Sequence, residues 1–385
     1  MNALPRLRAD SSAARARNVY INGRFLAQRV GGVQRFAWEV LQALDAELSE
    51  GECALAERNW ILIVPRGTTP KAGLRRIAIR VSGGGRGHLW DQTSLLRSAR
   101  DGILVNLTNG APLLHPRCLV IIHDAAVFRT PENFTPLYGL LHRTLGWVLS
   151  RTSKLGTVSD FSKRELAAIF HLDRSSIFVV PNSCEHLRAI APDVSVLQRL
   201  RLTPGRYFLF VGKPSPNKNI GAAMAAFSRL RQPDYKLVIV GSADTAVFRS
   251  GFDEVPAGVI VAGHLGDAQL VALFREATAL VFPSLYEGFG IPPLEGMVTG
   301  CPVLAARIPA VLEVCGDAAV YFDPQDIDSL LGAMRSIVDS PALRWEMIGR
   351  GRERAKLYSW QLSARSLIDA VENIDAAECS GSSRR

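Results

Sequence analysis

Apolar, β-branched runs alternate with helical patterns along most of the chain, and this alternation predicts a parallel sheet covered by helices on both faces. In residues 33–49, apolar side chains recur every three to four positions, which is typical of one buried helix face. The runs predicted as strands in the first half are 19–22, 60–65, 103–107, 118–124, 155–159 and 177–182.

The alternation breaks near residues 188–206 and then starts again. Predicted strands of the second half are 207–212, 236–241, 259–265, 279–285, 302–306 and 319–322. We therefore predict an α/β protein of two doubly wound parallel sheets. Ligands of such sheets bind beyond the carboxyl ends of the strands, so a cleft between the two halves is the expected active site.

The domain limits follow from where this alternation of apolar runs and helical patterns breaks and starts again. An N-terminal Rossmann-like domain is predicted at 18–195 and a C-terminal one at 205–358. A helix at 359–377 is predicted to cross back toward the first domain. The remaining segments are a basic arm at 1–17 and a tail at 378–385, both predicted to be disordered.

Composition fits a folded protein rather than a disordered one, with 48% hydrophobic and 21% charged residues. An apolar run long enough to span a membrane is missing from the sequence. The six cysteines are scattered, without the close pairs of zinc sites or the pattern of a disulfide framework. These features predict a cytoplasmic protein.

Positive charge is concentrated in the first half. Residues 1–200 carry 26 Lys and Arg against 16 Asp and Glu, a net charge of +10, whereas residues 201–385 have a net charge of −1. Such an excess attracts an anionic membrane surface or a phosphorylated substrate, or simply keeps the surface solvated. Nucleic acid is disfavoured as a partner, because interleaved aromatics and a recognition motif are both missing.

The stretch "PSLYEGFGIPPLEGM" (283–297) carries the most informative pattern. It follows an apolar run, so it is predicted to form a loop at the carboxyl end of a strand and then a helix that starts near the two prolines. Glycine lets backbone amides approach a ligand, and a helix start favours phosphate. Glu287 and Glu295 flank this turn and can accept hydrogen bonds from sugar hydroxyls. Taken singly, Glu295 is equally a helix-dipole partner and Glu287 a solvated loop residue.

A second candidate group is basic. Lys213 and Lys218 follow a buried strand across a proline-rich turn, where two ammonium groups can hold a diphosphate. Gly31 and Gly32 precede a helix, which is a weak phosphate signal. His123 ends an apolar strand. We expect it either to contact substrate, with Asp124 orienting it, or to have a structural role. Nothing in the sequence predicts a metal site or a cofactor, and residues 81–87 lack the Lys-Ser/Thr of a P-loop.

These motifs resemble glycosyltransferase family 4, the retaining enzymes of the GT-B fold, over residues 18–375. The resemblance rests on "YEGFGIPPLEGMVTGCPVLAA" and "VGKPSPNKN", supported by "HDAAVF", "GTVSDFSKREL", "VVPNSCE", "GHLGDAQLVALFREA" and "EVCGDAAVYFDP". The nearest subgroup is that of bacterial polysaccharide-assembly enzymes, many of them mannosyltransferases.

The resemblance implies that the N-terminal domain at 18–195 binds the acceptor and that the C-terminal domain at 205–358 binds the nucleotide sugar. It also implies a role for each matching position. It makes Glu287, His123, Lys218 and Lys213 the catalytic residues. The implied donor-binding residues are Gly32, Lys213, Lys218, His264, Leu265, Glu287, Gly288, Phe289, Gly290, Ile291 and Glu295. Within this set Glu287 binds donor-sugar hydroxyls, Glu295 the ribose, the lysines the diphosphate and His264–Leu265 the base. The family often has Arg where this chain has Lys213, and lysine lacks the two-pronged contact of arginine.

The implied activity is transfer of a hexose, with mannose from GDP-mannose as the donor of the subgroup, to a glycan or lipid-linked acceptor. The family implies retention, and with no clear covalent nucleophile we expect attack on the face from which the diphosphate leaves. The reaction is expected to need no metal, at the inner face of the membrane. Two alternatives stay open: an inactive GT-B subunit that binds nucleotide, and another GT-B enzyme such as an epimerase.

Overall fold

The structure is a computed structural model that describes residues 18–51, 55–68, 73–84, 87–213, 215–241 and 256–382, with side chains described as far as residue 376. The predicted basic arm at 1–17 lies outside the described residues.

A seven-stranded parallel sheet forms the first domain, with strand order β3-β2-β1-β4-β5-β6-β7. Its strands are β1 Asn18–Asn22, β2 Asn59–Pro65, β3 Ala78–Ser82, β4 Ile103–Asn106, β5 Cys118–Ile121, β6 Lys154–Thr157 and β7 Ile177–Val179. Its helices are α1 Gly32–Glu50, α2 Gly87–Trp90, α3 Leu96–Ala99, α4 Ala126–Arg129, α5 Pro136–Thr152 and α6 Asp160–Phe170.

The second domain is a six-stranded parallel sheet in the order β10-β9-β8-β11-β12-β13. Its strands are β8 Tyr207–Val211, β9 Lys236–Val240, β10 Val259–Gly263, β11 Ala279–Phe282, β12 Val303–Ala306 and β13 Val320–Phe322. The helices that follow the first domain are α7 Ser195–Arg199, α8 Ile220–Leu230, α9 Asp267–Glu276, α10 Ile291–Thr299, α11 Pro309–Cys315, α12 Ile327–Asp339, α13 Pro341–Ala355 and α14 Trp360–Ser382.

Every run predicted as a strand overlaps an observed strand, whereas β3 was missed. The reason is its position at the sheet edge: four of its five residues are exposed, so it lacks an apolar run. The two-sheet α/β architecture is confirmed.

The last helix, α14, returns to the first domain and packs against α1. Asp375 on α14 accepts hydrogen bonds from Arg58 and Arg117, and Glu47 on α1 accepts one from Arg365. The helix continues to Ser382, so residues 378–382, predicted as tail, are helical. None of the helices within the described ranges is long and apolar enough to cross a membrane.

Strand order reverses once in each sheet, and the point of reversal fixes where a crevice for ligand forms. In the first sheet the reversal lies between β1 and β4, and in the second between β8 and β11. At such a point the loops at the carboxyl ends of the two strands diverge to opposite faces and leave a crevice for ligand. The loops after β8 and β11 are those that carry the predicted lysines and Glu287.

Candidate active site

Lys218 and Glu287 meet at the reversal point of the second sheet. Lys218 ends a 3₁₀ turn, Pro216–Lys218, after β8, and Glu287 lies in the loop between β11 and α10. The lysine Nζ atom is 2.5 Å from Glu287 Oε1, and the two side chains are only 20% and 14% exposed. Nζ also lies 5.4 Å from the centre of the Phe282 ring. This is a semi-buried charge pair that a bound phosphate and a sugar hydroxyl can each compete for.

Lys213 is placed differently from Lys218. It lies on the same loop, directly after Gly212, but its side chain is exposed. The backbone beneath it is tightly fixed, because a Cβ on Gly241 would lie 2.0 Å from the Gly212 carbonyl oxygen. The structure therefore brings one of the two predicted lysines against the carboxylate and leaves the other at the rim.

The loop after Glu287 leads directly into α10. Gly290 adopts a left-handed conformation at φ 115° as the N-cap, and prolines occupy the first helical turn as predicted. Phe289 is buried and its ring meets that of Tyr358 edge-on at 5.5 Å. Because Pro292 and Pro293 carry no N–H, the amides of Gly290 and Ile291 are the donors that this loop can offer at the start of α10.

Glu295 lies in the second turn of α10 rather than in the first turn, where a glutamate pairs with the helix dipole. Because α10 begins at Ile291, Glu295 is the fifth helical residue and belongs to the second turn, so a helix-dipole role is weakened. Its carboxyl is buried, and burial is the main reason that its pKa is raised to about 7. Nearby Asp267 raises the pKa further, whereas Arg35 opposes the shift.

Replacing Glu295 with Gln is expected to stabilise the protein at pH 8 and not at pH 4.5. The folded state favours the protonated carboxyl, so the wild type loses stability as the pH rises from about 4.5 to 7, while the amide does not titrate. A shift of this size corresponds to about 3 kcal/mol at high pH. Unfolding midpoints at the two pH values measure it; an equal difference between variant and wild type at both would contradict the assignment.

Arg35 and Asp267 join the two domains beside Glu295. The Arg35 guanidinium, on α1, donates two hydrogen bonds of 2.7 Å to the Asp267 carboxylate at the start of α9. This two-pronged ion pair lowers the pKa of Asp267 against the effect of its burial. His264 and Leu265 lie just before α9; His264 is exposed and Leu265 is buried.

His123 does not have the predicted neighbour. Its Nε2 atom bonds to the Leu107 carbonyl at 2.9 Å, and its ring meets Phe36 edge-on at 4.8 Å. The orienting role expected for Asp124 is therefore wrong: Asp124 instead accepts a hydrogen bond from the Ala126 amide. Burial lowers the pKa of His123 to about 4, so the ring is neutral at physiological pH, with Nδ1 as its acceptor atom.

Asp124 belongs electrostatically to the Lys218–Glu287 pair. Its pKa is raised chiefly by burial, with a further contribution from Glu287, while the Ala126 amide and Lys218 oppose the shift. A Cβ on Gly288 would lie 2.8 Å from the Asp124 Cβ atom, so Asp124 lies beside the loop that carries Glu287.

Residues at the start of helix α6, in the first domain, donate hydrogen bonds to the Glu287 loop. The hydroxyls of Ser159 and Ser162 both donate to the Gly288 carbonyl, at 2.6 and 2.8 Å. In return, Glu313 on α11 accepts hydrogen bonds of 2.7 Å from the two amides at the start of α6. The start of α6 is thus hydrogen-bonded both to the Glu287 loop and to α11 of the second domain.

Gly32 is the first residue of α1 and faces the start of α10. A Cβ on Gly32 would lie 3.2 Å from the Ile291 Cδ1 atom, so the two helix starts approach closely across the cleft. Of the predicted site residues, the structure groups Gly32 with Ile291, Lys218 with Glu287, and Gly288 with His123.

Several residues of this cleft were not predicted: Arg35, Ser159, Ser162, Asp267 and Glu313. Ser159 had a detectable signal, because a serine before an acidic first turn is a typical N-cap, and its side chain does accept from the Ser162 amide. That signal predicts a cap and not a contact with the other domain. Within the described part of the chain, we find no cluster of three or more side chains suited to a metal ion.

Comparisons with known proteins agree with the fold and the class of enzyme. The family profile "Glycosyl transferases group 1" matches residues 198–354. The chain is 28% identical over 298 residues to the O-antigen chain mannosyltransferase B of Escherichia coli, covering 73% of this chain and 77% of that protein. It is also 28% identical over 298 residues to an MMP α-(1→4)-mannosyltransferase of Mycolicibacterium hassiacum, covering 73% and 68%.

Solved structures show the same fold at low sequence identity. Sucrose-phosphate synthase of Thermosynechococcus elongatus aligns with a TM-score of 0.70 at 16% identity, covering 94% of this chain and all of that one. Anabaena HepE, solved with UDP and glucose, aligns with a TM-score of 0.71 at 14% identity, covering 92% and 99%. The solved structures show that the chain has the GT-B fold, and the group 1 match together with the mannosyltransferase relatives identifies it as a glycosyltransferase.

Proposed function

We propose that the chain transfers a hexosyl group from a nucleotide sugar to a glycan acceptor, with retention of configuration. The single observation that carries the proposal is the Lys218–Glu287 pair, 2.5 Å apart at the reversal point of the second sheet. A nucleotide sugar needs a carboxylate that binds the sugar hydroxyls and, beside it, an ammonium group that binds the phosphate. An inactive subunit would have no use for so complete an arrangement, and an epimerase would share it but transfer nothing to an acceptor.

Each residue then has a place along the donor. Glu287 binds the sugar hydroxyls, Lys218 and Lys213 the diphosphate, and Glu295 the ribose, with His264 and Leu265 beside the base. The amides of Gly288, Phe289, Gly290 and Ile291 supply further hydrogen bonds, and Gly32 and His123 face the reacting sugar from the first domain.

The reaction follows from these charges. The bond from the anomeric carbon to the phosphate oxygen breaks, and negative charge develops on the leaving diphosphate beside Lys218. The acceptor oxygen bonds to the same carbon on the same face, and its proton passes to the departing phosphate oxygen. Fixed cations and amides that stabilise the leaving group contribute about 3 kcal/mol each in the transition state.

We further propose mannose as the sugar and guanine as the base. Relatives named mannosyltransferases support the sugar. For the base, the support is Asp267, whose carboxylate receives two parallel N–H donors from Arg35 at 2.7 Å. The N1–H and N2–H edge of guanine offers the same pair of donors, whereas uracil presents one N–H between two carbonyl oxygens. In the complex with GDP, the guanine base would replace the Arg35 guanidinium as the partner of Asp267.

Replacing Asp267 with Asn is expected to reduce the preference for GDP over UDP about tenfold or more. The amide keeps the shape but loses the charge and one acceptor for the paired donors, and such a mismatch costs about 1–3 kcal/mol. Thermal shifts with GDP, UDP and ADP over a concentration series measure the affinities. The matched control is Asp317→Asn, because the Asp317 carboxylate is exposed and its partner is Arg350. An unchanged GDP preference would contradict the base assignment.

Activity itself is tested by incubation of radiolabelled GDP-mannose with glycan and lipid-linked acceptors. We expect transfer, or slow hydrolysis when the acceptor is missing, without added metal. Binding of GDP-mannose with neither reaction would favour the inactive-subunit alternative. Cosedimentation with anionic vesicles tests whether the basic first half also brings the enzyme to the inner face of the membrane.

A further inference from the structure

We propose that Glu313 is a positioning residue for the transfer reaction. Its carboxylate holds the first turn of α6, and two serines of that turn fix the loop that carries Glu287. This inference rests on the proposed transfer reaction. It adds a side chain of the second domain that acts on the donor site through a helix of the first domain.

The two carboxylate oxygens of Glu313 bind the start of α6. Oε1 accepts a hydrogen bond of 2.7 Å from the Asp160 amide, and Oε2 accepts one of 2.7 Å from the Phe161 amide. These are the first two amides of the helix, which have no carbonyl partner within it. A carboxylate at this end is also favoured by the helix dipole. Because each oxygen binds one amide, the side chain fixes both the position and the direction of the helix start.

The same turn of α6 makes the contact with the donor loop. The third helix amide, that of Ser162, donates to the Ser159 hydroxyl oxygen at 3.0 Å. The hydrogen of that hydroxyl points to the Gly288 carbonyl oxygen, 2.6 Å away, and the Ser162 hydroxyl donates to the same oxygen at 2.8 Å. Both serines are buried, so water does not replace these hydrogen bonds readily. A shift of the helix start therefore moves both hydroxyls together, and with them the residue next to Glu287.

Glu313 is in turn fixed by its own domain. Its backbone carbonyl accepts hydrogen bonds from Arg354 Nη2 at 2.5 Å and from the Tyr358 hydroxyl at 3.3 Å. Arg354 Nε also donates to the next carbonyl along the chain at 2.9 Å. The Tyr358 ring meets the Phe289 ring of the donor loop edge-on. The backbone of Glu313 is thus tied to one side of the loop, while its carboxylate acts on the other side through α6.

Two simpler roles for Glu313 are distinguishable from positioning. The first is an ion pair with Arg164, whose Nη2 atom is 3.8 Å from Glu313 Oε2 and whose side chain is 47% exposed. An exposed contact of this length contributes little. The second is a purely structural link between the domains. Loss of such a link lowers the unfolding midpoint but leaves the turnover of the folded enzyme unchanged.

Steady-state kinetics of Glu313→Ala with GDP-mannose test the proposal. We expect kcat to fall about tenfold while the affinity for GDP stays the same, because the Glu287 loop shifts and the nucleotide contacts do not. Glu313→Gln keeps the size and one acceptor oxygen, so its kcat should lie between those of Glu313→Ala and the wild type. Equal thermal shifts with GDP show that both variants are folded.

Two control variants separate the alternatives. Arg164→Met removes the ion pair alone, and Glu353→Ala removes an exposed glutamate that pairs with Lys356 at 2.7 Å. Both should keep the kcat of the wild type. A loss of kcat in Arg164→Met as large as that in Glu313→Ala would make the ion pair, and not the helix contact, the source of the effect. A lower unfolding midpoint with normal kcat in Glu313→Ala would leave Glu313 a structural role only.

A double-mutant cycle shows whether Glu313 acts through α6. The starting variant carries Ser159→Ala and Ser162→Ala, so its helix no longer holds the Gly288 carbonyl. Adding Glu313→Ala to it should lower kcat by less than about twofold, because residues that act through one contact do not add their effects. A further tenfold loss would show that Glu313 acts independently of the serines and would overturn the proposal.

Hydrogen exchange tests the same claim without turnover. The amides of residues 286–290 should exchange faster in Glu313→Ala than in the wild type or in Glu353→Ala, because the loop has lost its support from α6. Unchanged exchange in this loop would contradict the positioning role. A wild type that transfers no mannose would reject the proposed reaction, and the exchange result would still decide whether Glu313 holds the loop.

Discussion

Replacing Lys218 with Met is expected to lower kcat for mannosyl transfer about 100- to 1000-fold. The ammonium group lies 2.5 Å from Glu287 in a semi-buried crevice. In the proposed reaction it stabilises the charge on the departing diphosphate. Methionine keeps most of the side-chain volume and removes the charge, and it leaves the Glu287 carboxylate without its partner. Initial rates at saturating GDP-mannose measure the effect.

The matched control for Lys218 is Lys356→Met. Lys356 also pairs with a glutamate, Glu353, at 2.7 Å, but both side chains are exposed. Since exposed pairs contribute about 0–1 kcal/mol to stability, we expect normal turnover and near-normal stability in this variant. A Lys218→Met enzyme as active as the control would remove the diphosphate role from Lys218.

Replacing Gly288 with Ala is expected to lower the rate of transfer about 100-fold or more, while GDP still binds. A Cβ at this position would lie 2.1 Å from the His123 carbonyl oxygen and 2.8 Å from the Asp124 Cβ atom. The His123 carbonyl and the Asp124 Cβ atom belong to the first domain and cannot shift without a large cost in energy. The Glu287 loop must therefore move away from them. A displacement of about 1 Å at a reacting group costs on the order of 100-fold in rate.

Two further variants sharpen this result. Gly332→Ala is the matched control, because a Cβ there meets nothing within 4 Å and the residue lies inside helix α12; it should leave activity intact and add up to about 1 kcal/mol of stability. Ser159→Ala with Ser162→Ala removes the two hydroxyls that hold the Gly288 carbonyl and should reduce kcat in the same direction. Normal kcat in Gly288→Ala would show that the loop does not need the first domain.

Much of the donor side was predictable because it is local in sequence. Lys218 and Glu287 each follow a buried strand, so the parallel-sheet rule alone places both at the same edge. That they belong to neighbouring strands, β8 and β11, and approach to 2.5 Å depends on the strand order, which the hydrophobic pattern does not contain.

Contacts between the domains were not predictable. Ser159 and Gly288 are 129 positions apart, and Arg35 and Asp267 are 232 positions apart. Nothing in the local pattern around a serine N-cap or a helical arginine says which distant group it meets. The surroundings of His123 were predicted incorrectly for the same reason: Leu107, and not the adjacent Asp124, accepts its hydrogen bond.

The first domain shows the same limit. His88, His142 and Arg24 come from three separate segments with no recognisable motif, and only the fold brings them to one edge. Edge strand β3 escaped prediction because its exposed residues give no apolar run.

The most direct test of the central claim is a crystal structure of the enzyme with GDP-mannose. We expect one donor in the cleft, with the diphosphate against Lys218, the mannosyl hydroxyls against Glu287 and the ribose against Glu295. A donor bound elsewhere, with Lys218 and Glu287 still paired to each other, would contradict it.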